Sequence, residues 1–173
     1  MQEYVSNAVI LRKEPMGDID ARYVLFTERF GKVIAKAKSS RKVTSKLAPH
    51  LEPGTLSKVR FIETHGTQLI DALKNDRTTV SLQNLHLLSR LLPDAQPEPE
   101  LWQALLGEQF SWPMVLSILG WDPAEAECSS CAALQPNYFY VPRQEFFCNR
   151  CVLKIPLKIR RDAVLSLDGE VQS

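Results

Sequence analysis

Only seven glycines are spread through the 173 residues, and none falls into G-x-x-x-x-G-K-S/T, G-x-G-x-x-G or G-x-S-x-G. The backbone turns that cradle phosphates, or that lift a nucleophilic serine from a sheet, are therefore missing. Histidine is scarce too: His50, His65 and His86 fall in an expected loop, turn and helix, with no spacing that favours a site. No enzyme is expected. No window approaches 18 consecutive apolar residues, so no membrane-spanning helix is expected. The opening Met1-Gln2-Glu3-Tyr4-Val5 has neither the basic region nor the apolar run of a secretory signal, which points to the cytoplasm.

Net charge is also nearly absent, at +1, but the sum conceals a gradient. Residues 1–70 carry a net +5, residues 71–127 a net −6 and residues 128–173 a net +2. A polyanion is attracted to the first segment whatever the total says.

What is present begins with strands. Residues 5–12, 22–27, 32–38, 54–62 and 69–74 are β-branched or alternating, with turn signals at 14–18, around Phe30-Gly31, and at Thr64-His65-Gly66-Thr67. Along the third, Val33, Ala35 and Ala37 point one way and Lys32, Ile34, Lys36 and Lys38 the other. Five short strands predict a small closed barrel, which removes exposed sheet edges; the OB type suits the long connection after the third strand, with an SH3-like barrel as competitor.

From residue 78 the period becomes helical. Leu82, Leu85, Leu88 and Leu92 form one stripe that Pro93 stops; Leu101, Trp102, Leu105 and Leu106 form a second; Val115, Leu116 and Leu119 form a third that ends at Gly120. The expected class is α+β: an N-terminal five-stranded OB-type barrel, a short helical region and a C-terminal four-cysteine zinc ribbon. The boundaries read as 1–76 for a nucleic-acid-binding barrel domain and 77–173 for a helical domain with the ribbon inserted at 128–151.

The ribbon rests on the four cysteines. Cys128, Cys131, Cys148 and Cys151 form two C-x-x-C pairs separated by 16 residues, and in a reducing compartment they are not a disulfide framework. Four thiolates at this spacing supply a closed tetrahedral shell for a structural Zn²⁺, with a hairpin expected between the knuckles. Two redox pairs or four unrelated thiols are the alternatives.

A second cluster is basic. Lys32, Lys36, Lys38, Arg41, Lys42 and Lys46 occur without an acidic residue among them, as in a groove that tracks a nucleic-acid backbone on a barrel face and its flexible loop. A solvated surface is the alternative. Tyr23, Phe26, Phe30 and Phe61 are the nearby aromatics, each more simply used as core.

A basic five-strand barrel, short helices and a four-cysteine ribbon, taken in that order, resemble the RecO family of bacterial DNA repair and recombination mediators. The likeness extends to residues: Ala8-Val9-Ile10-Leu11-Arg12, Gly17-Asp18, Arg22, the stretch from Leu25 through Phe30-Gly31-Lys32, Ala35-Lys36-Ala37-Lys38, Leu51-Glu52-Pro53-Gly54, Leu119-Gly120-Trp121-Asp122-Pro123 and Tyr138-Phe139. The middle departs from the family, whose helical region is longer and continues after the ribbon.

The resemblance implies a non-enzymatic accessory of the RecF pathway, cytoplasmic and nucleoid-associated. It would bind single- and double-stranded DNA, anneal complementary strands and, with RecR, help load RecA on DNA coated by single-stranded-DNA-binding protein. By position it adds Arg12 and Arg22 to the DNA surface. A zinc-ribbon scaffold for protein partners, or an RNA-binding OB protein, are the competing functions.

Overall fold

The computed structural model describes residues 2–107 and 110–168, and each of these two stretches forms a compact unit. The first contains β1 (Gln2–Met16), β2 (Asp20–Thr27), β3 (Gly31–Ala37), β4 (Thr55–Glu63), β5 (Thr67–Arg77), α1 (Leu82–Leu91) and α2 (Pro99–Leu106). The strands close in the order β1-β2-β3-β5-β4, with β4 returning to β1. All neighbours are antiparallel except β3 and β5, which run parallel.

Alternation builds the barrel interior. Ala8 and Ile10, Tyr23 and Leu25, Ala35 and Ala37, and Val59 and Phe61 point inward, and Leu51 is part of the same core. Alanine at several of these positions leaves room for Tyr23 and Phe61 in a narrow interior. Register shifts in β1 near Ile10 and in the β4–β5 pair bend the sheet toward closure.

β1 and β2 are buried on both faces along part of their length: Ala8 to Leu11 and Tyr23 to Thr27 are all buried. The second face lies under the helices, where Phe26 meets Trp102 with ring centroids 6.3 Å apart. Ser81 caps α1 by accepting from the Asn84 amide at 3.2 Å. Leu85, Leu88, Leu101 and Leu105 are buried as the helical stripes require, whereas Leu82 and Leu106 at the helix ends are exposed and Leu87 and Leu91 are buried instead. α1 and α2 complete the hydrophobic cover of β1 and β2 and belong to the same compact unit as the strands.

β1 also runs further than expected, to Met16, and the turn is made by Gly17 at φ +63°. Pro15 is tolerated because pairing with β4 ends at Val9, leaving that stretch with one strand neighbour. Gly31 has a stricter reason for being glycine. Its φ is +67°, and a Cβ there would stand 2.0 Å from the carbonyl oxygen of Gln96, in the segment that passes over the start of β3.

The second unit contains α3 (Trp112–Ile118), β6 (Tyr138–Tyr140), β7 (Glu145–Phe147), α4 (Leu157–Ala163) and β8 (Val164–Ser166). α3 ends at Gly120 with φ +94°, as its sequence signals. β6 and β7 are the expected hairpin, and β8 adds a third strand, in the order β7-β6-β8. Phe139 is fully buried, 5.5 Å from Trp121 and 4.9 Å from Phe146 by ring centroids.

Candidate metal centre and nucleic-acid surface

The two C-x-x-C turns meet. All four Sγ atoms lie within 4.8 Å of one another, and Cys131 Sγ is 3.7 Å from Cys148 Sγ. Four sulfurs held about 2.3 Å from one metal stand about 3.8 Å apart, so the cluster has the dimensions of a tetrahedral thiolate shell. All four cysteines are free, with Cys128 and Cys151 buried. Each turn is tight because its first cysteine accepts from the chain ahead: Ala132 N–H donates to Cys128 O at 2.8 Å, and Val152 N–H to Cys148 O at 3.0 Å. Ser129 N–H donates to Phe146 O at 2.9 Å, which fixes the first turn to β7.

The electrostatics of the cluster favour a cation. Burial pushes the Cys128 thiol up, but the amides of Cys148, Ser130 and Cys131 aimed at its sulfur outweigh it and bring it down to about 6. Cys148 is drawn down, chiefly by the amide of Cys151. Cys131 has the Ala133 amide to lower it, yet its three thiol neighbours push it up to about 11. The sulfurs thus compete for shared protons, and a divalent ion in their centre would replace those protons and let all four bind as thiolates. The donor set fits a structural metal, with no position left for water or substrate.

The basic residues divide into three groups. Arg22 on β2 stands directly across from Lys36 on β3 and from Glu14 on β1, so a row crosses the outer barrel face. Glu14 pairs with Arg12 and, at 2.8 Å, with Arg22 Nε. Arg12 Nε is buried without an acceptor. Burial first, then the nearby Arg22 and Arg90, draw its pKa below the usual arginine value. Two guanidinium groups therefore share one carboxylate, with the Arg90 charge close to Arg12. Arg90 was not singled out by sequence, because nothing in a helical pattern says that the last turn of α1 reaches Arg12.

Lys38, Arg41, Lys42 and Lys46 form the second group, all exposed in the connection after β3. Expected to be flexible, this connection is a series of hydrogen-bonded turns. Arg41 N–H donates to Ile19 O at 2.9 Å, its guanidinium reaches Gly17 O at 2.6 Å, and Ser45 N–H donates to Lys42 O at 2.9 Å.

Lys32 stands apart, with a side chain largely covered by its partners. Its side chain is only 12% exposed, and its ammonium pairs with Asp94 at 2.9 Å and donates to Leu92 O and Ser89 O at the end of α1. Arg60 on β4 is also offset, by Glu3 at 3.4 Å and Asp71 at 3.6 Å. Of the aromatic candidates, Tyr23, Phe26 and Phe61 are core, and only Phe30 is partly exposed.

Comparison with known proteins follows this division. Residues 1–75 match the family described as Recombination protein O N terminal. The chain is 28% identical to the DNA repair protein RecO of Thermodesulfovibrio yellowstonii and 29% identical to that of Dehalococcoides mccartyi. Each alignment covers 86% of this chain and 70% of the relative. The N-terminal family is thus matched over nearly all of the barrel, and over 86% of its length the chain is similar to proteins named DNA repair protein RecO.

Proposed function

We propose that this protein serves DNA repair and recombination as a non-enzymatic accessory of the RecF pathway. It binds single- and double-stranded DNA through Arg12, Arg22, Lys36, Lys38, Arg41, Lys42 and Lys46, and it anneals complementary strands. With RecR it helps load RecA on DNA coated by single-stranded-DNA-binding protein, acting in the cytoplasm on the nucleoid. The strand order and the parallel β3–β5 closure support reading the barrel as the OB type.

One observation carries the DNA reading: Arg22 and Lys36 are cross-strand neighbours on the outer face. Like charges directly opposite one another oppose folding, so their placement makes sense where an anion is to be held. Annealing requires two phosphate backbones to approach while base edges stay free, and surface cations screen the repulsion without reaction chemistry. No nucleotide hydrolysis is involved. A Zn²⁺ held by Cys128, Cys131, Cys148 and Cys151 would supply cross-linking and charge neutralisation to the unit that contains the aromatic cluster around Phe139.

The test is a time course of annealing on naked strands and on strands coated by single-stranded-DNA-binding protein, with and without RecR. Acceleration on both that fades as salt rises is expected. No acceleration on either removes the mediator reading.

A further inference from the structure

The barrel wall has a gap. Across the β3–β5 seam only Lys36 and Gln68 are paired, whereas β2 and β3 pair from Ala21 and Ala37 to Thr27 and Gly31. Below that single pairing β5 has only just begun, at Thr67, and the start of β3 borders a cleft of about 460 Å³. Its lining includes the rings of Tyr4, Phe30 and Phe61, with Ile34 from β3 and Thr67 from β5. Phe30 meets Tyr4 and Phe61 edge-on at 5.3 and 5.7 Å, and the Arg29 guanidinium lies 5.3 Å above the Phe30 ring.

The charges around this cleft cancel. Lys32 pairs with Asp94, and Glu63 takes the Tyr4 hydroxyl at 3.3 Å. A phosphate gains little here, while a flat, neutral, π-rich group finds rings to pack on and the Thr67 hydroxyl and Glu63 carboxylate for its polar edge. Ile34 is 44% exposed, an apolar β-branched side chain turned to solvent beside the opening. It shares the outer face of β3 with Lys36, about 6.6 Å away along the strand. A nucleic-acid strand whose phosphates meet Lys36 therefore passes the cleft.

We propose that this cleft takes one unpaired nucleobase of single-stranded DNA, stacked against the Phe30 cluster, while Lys36 and its neighbours hold the backbone. The inference rests on the DNA-binding surface proposed above and adds what that surface lacks, since cations alone do not distinguish single strands from duplex. A base inside a duplex keeps its faces covered by its neighbours, so only an unpaired one enters.

The experiment uses the full chain and an oligothymidylate of about 12 nucleotides, compared with an abasic strand of equal length and with the same oligomer carrying one 2-aminopurine. Wild-type protein binds the abasic strand at least about fivefold more weakly and quenches 2-aminopurine emission. Phe30→Leu, which keeps apolar volume and removes the ring, narrows the gap between strands and restores emission. Ile34→Ser, at an exposed position, narrows the same gap and serves if Phe30→Leu does not fold. Equal wild-type affinity for the base-bearing and abasic strands, or unquenched 2-aminopurine, overturns the assignment and leaves the cleft to a side chain of a protein partner. Failure to bind either strand overturns the DNA-binding surface itself, and this inference with it.

Discussion

Lys32 Nζ lies 2.9 Å from Asp94 Oδ1, joining the start of β3 to the turn that follows α1. The same ammonium donates to Ser89 O and Leu92 O, at the partially negative end of α1. Asp94 is largely exposed, so the ion pair itself is screened and the carbonyl contacts carry most of the effect. Lys32→Ala is expected to lower stability by about 1–2 kcal/mol in urea denaturation. Its salt slope for DNA binding should equal that of the wild type, because the Lys32 ammonium is already engaged by Asp94 and the carbonyls at the end of α1.

Gly31 and Gly17 both have positive φ, yet they should respond differently to alanine. At Gly17 a Cβ meets nothing within 4 Å, so Gly17→Ala carries only the left-handed penalty of about 1–2 kcal/mol. At Gly31 the Cβ meets the backbone of Gln96, and the segment after α1 must move. Gly31→Ala should therefore melt several degrees below Gly17→Ala. Equal melting temperatures would mean that the segment yields freely.

The two units should also respond separately to loss of a metal ligand. Cys148→Ser leaves three thiolates, and the purified protein should hold well under one equivalent of zinc where the wild type holds one. Amide exchange should quicken at Phe139 and Phe146, beside the cysteine turns, while Tyr23 and Leu25 in the barrel stay protected. Metal analysis and exchange on the same samples check both halves.

The barrel was legible in the sequence because alternation records which face each residue takes. Ala35 and Ala37 are buried and Ile34 and Lys36 exposed, as that pattern requires. Lys32 belongs to the same alternation, and what covers it is the end of a helix some sixty positions away, which no local pattern contains. The apolar run Ala8 to Leu11 signals burial on both faces without naming the helices that supply it. The cysteine pairs were legible because their spacing is itself the geometry. β8 was not: three residues, Val164 to Ser166, are too short to show alternation and are strand only because β6 offers them an edge. Phe30 could not be told from Tyr23 or Phe26, since what separates them is non-local: Tyr23 faces the barrel interior, Phe26 lies against Trp102 and Phe30 borders the cleft.

The most direct test of the DNA surface is the salt dependence of single-strand binding by wild type and by the combined Lys36→Ala, Lys38→Ala, Arg41→Ala, Lys42→Ala variant. About four to six phosphate contacts give the wild type a log–log slope of roughly −3 to −4, at about −0.7 per contact. The variant, with its melting temperature unchanged, should bind far more weakly and show a slope flattened by nearly three. A variant with wild-type affinity and slope would contradict the account and place the DNA on another face.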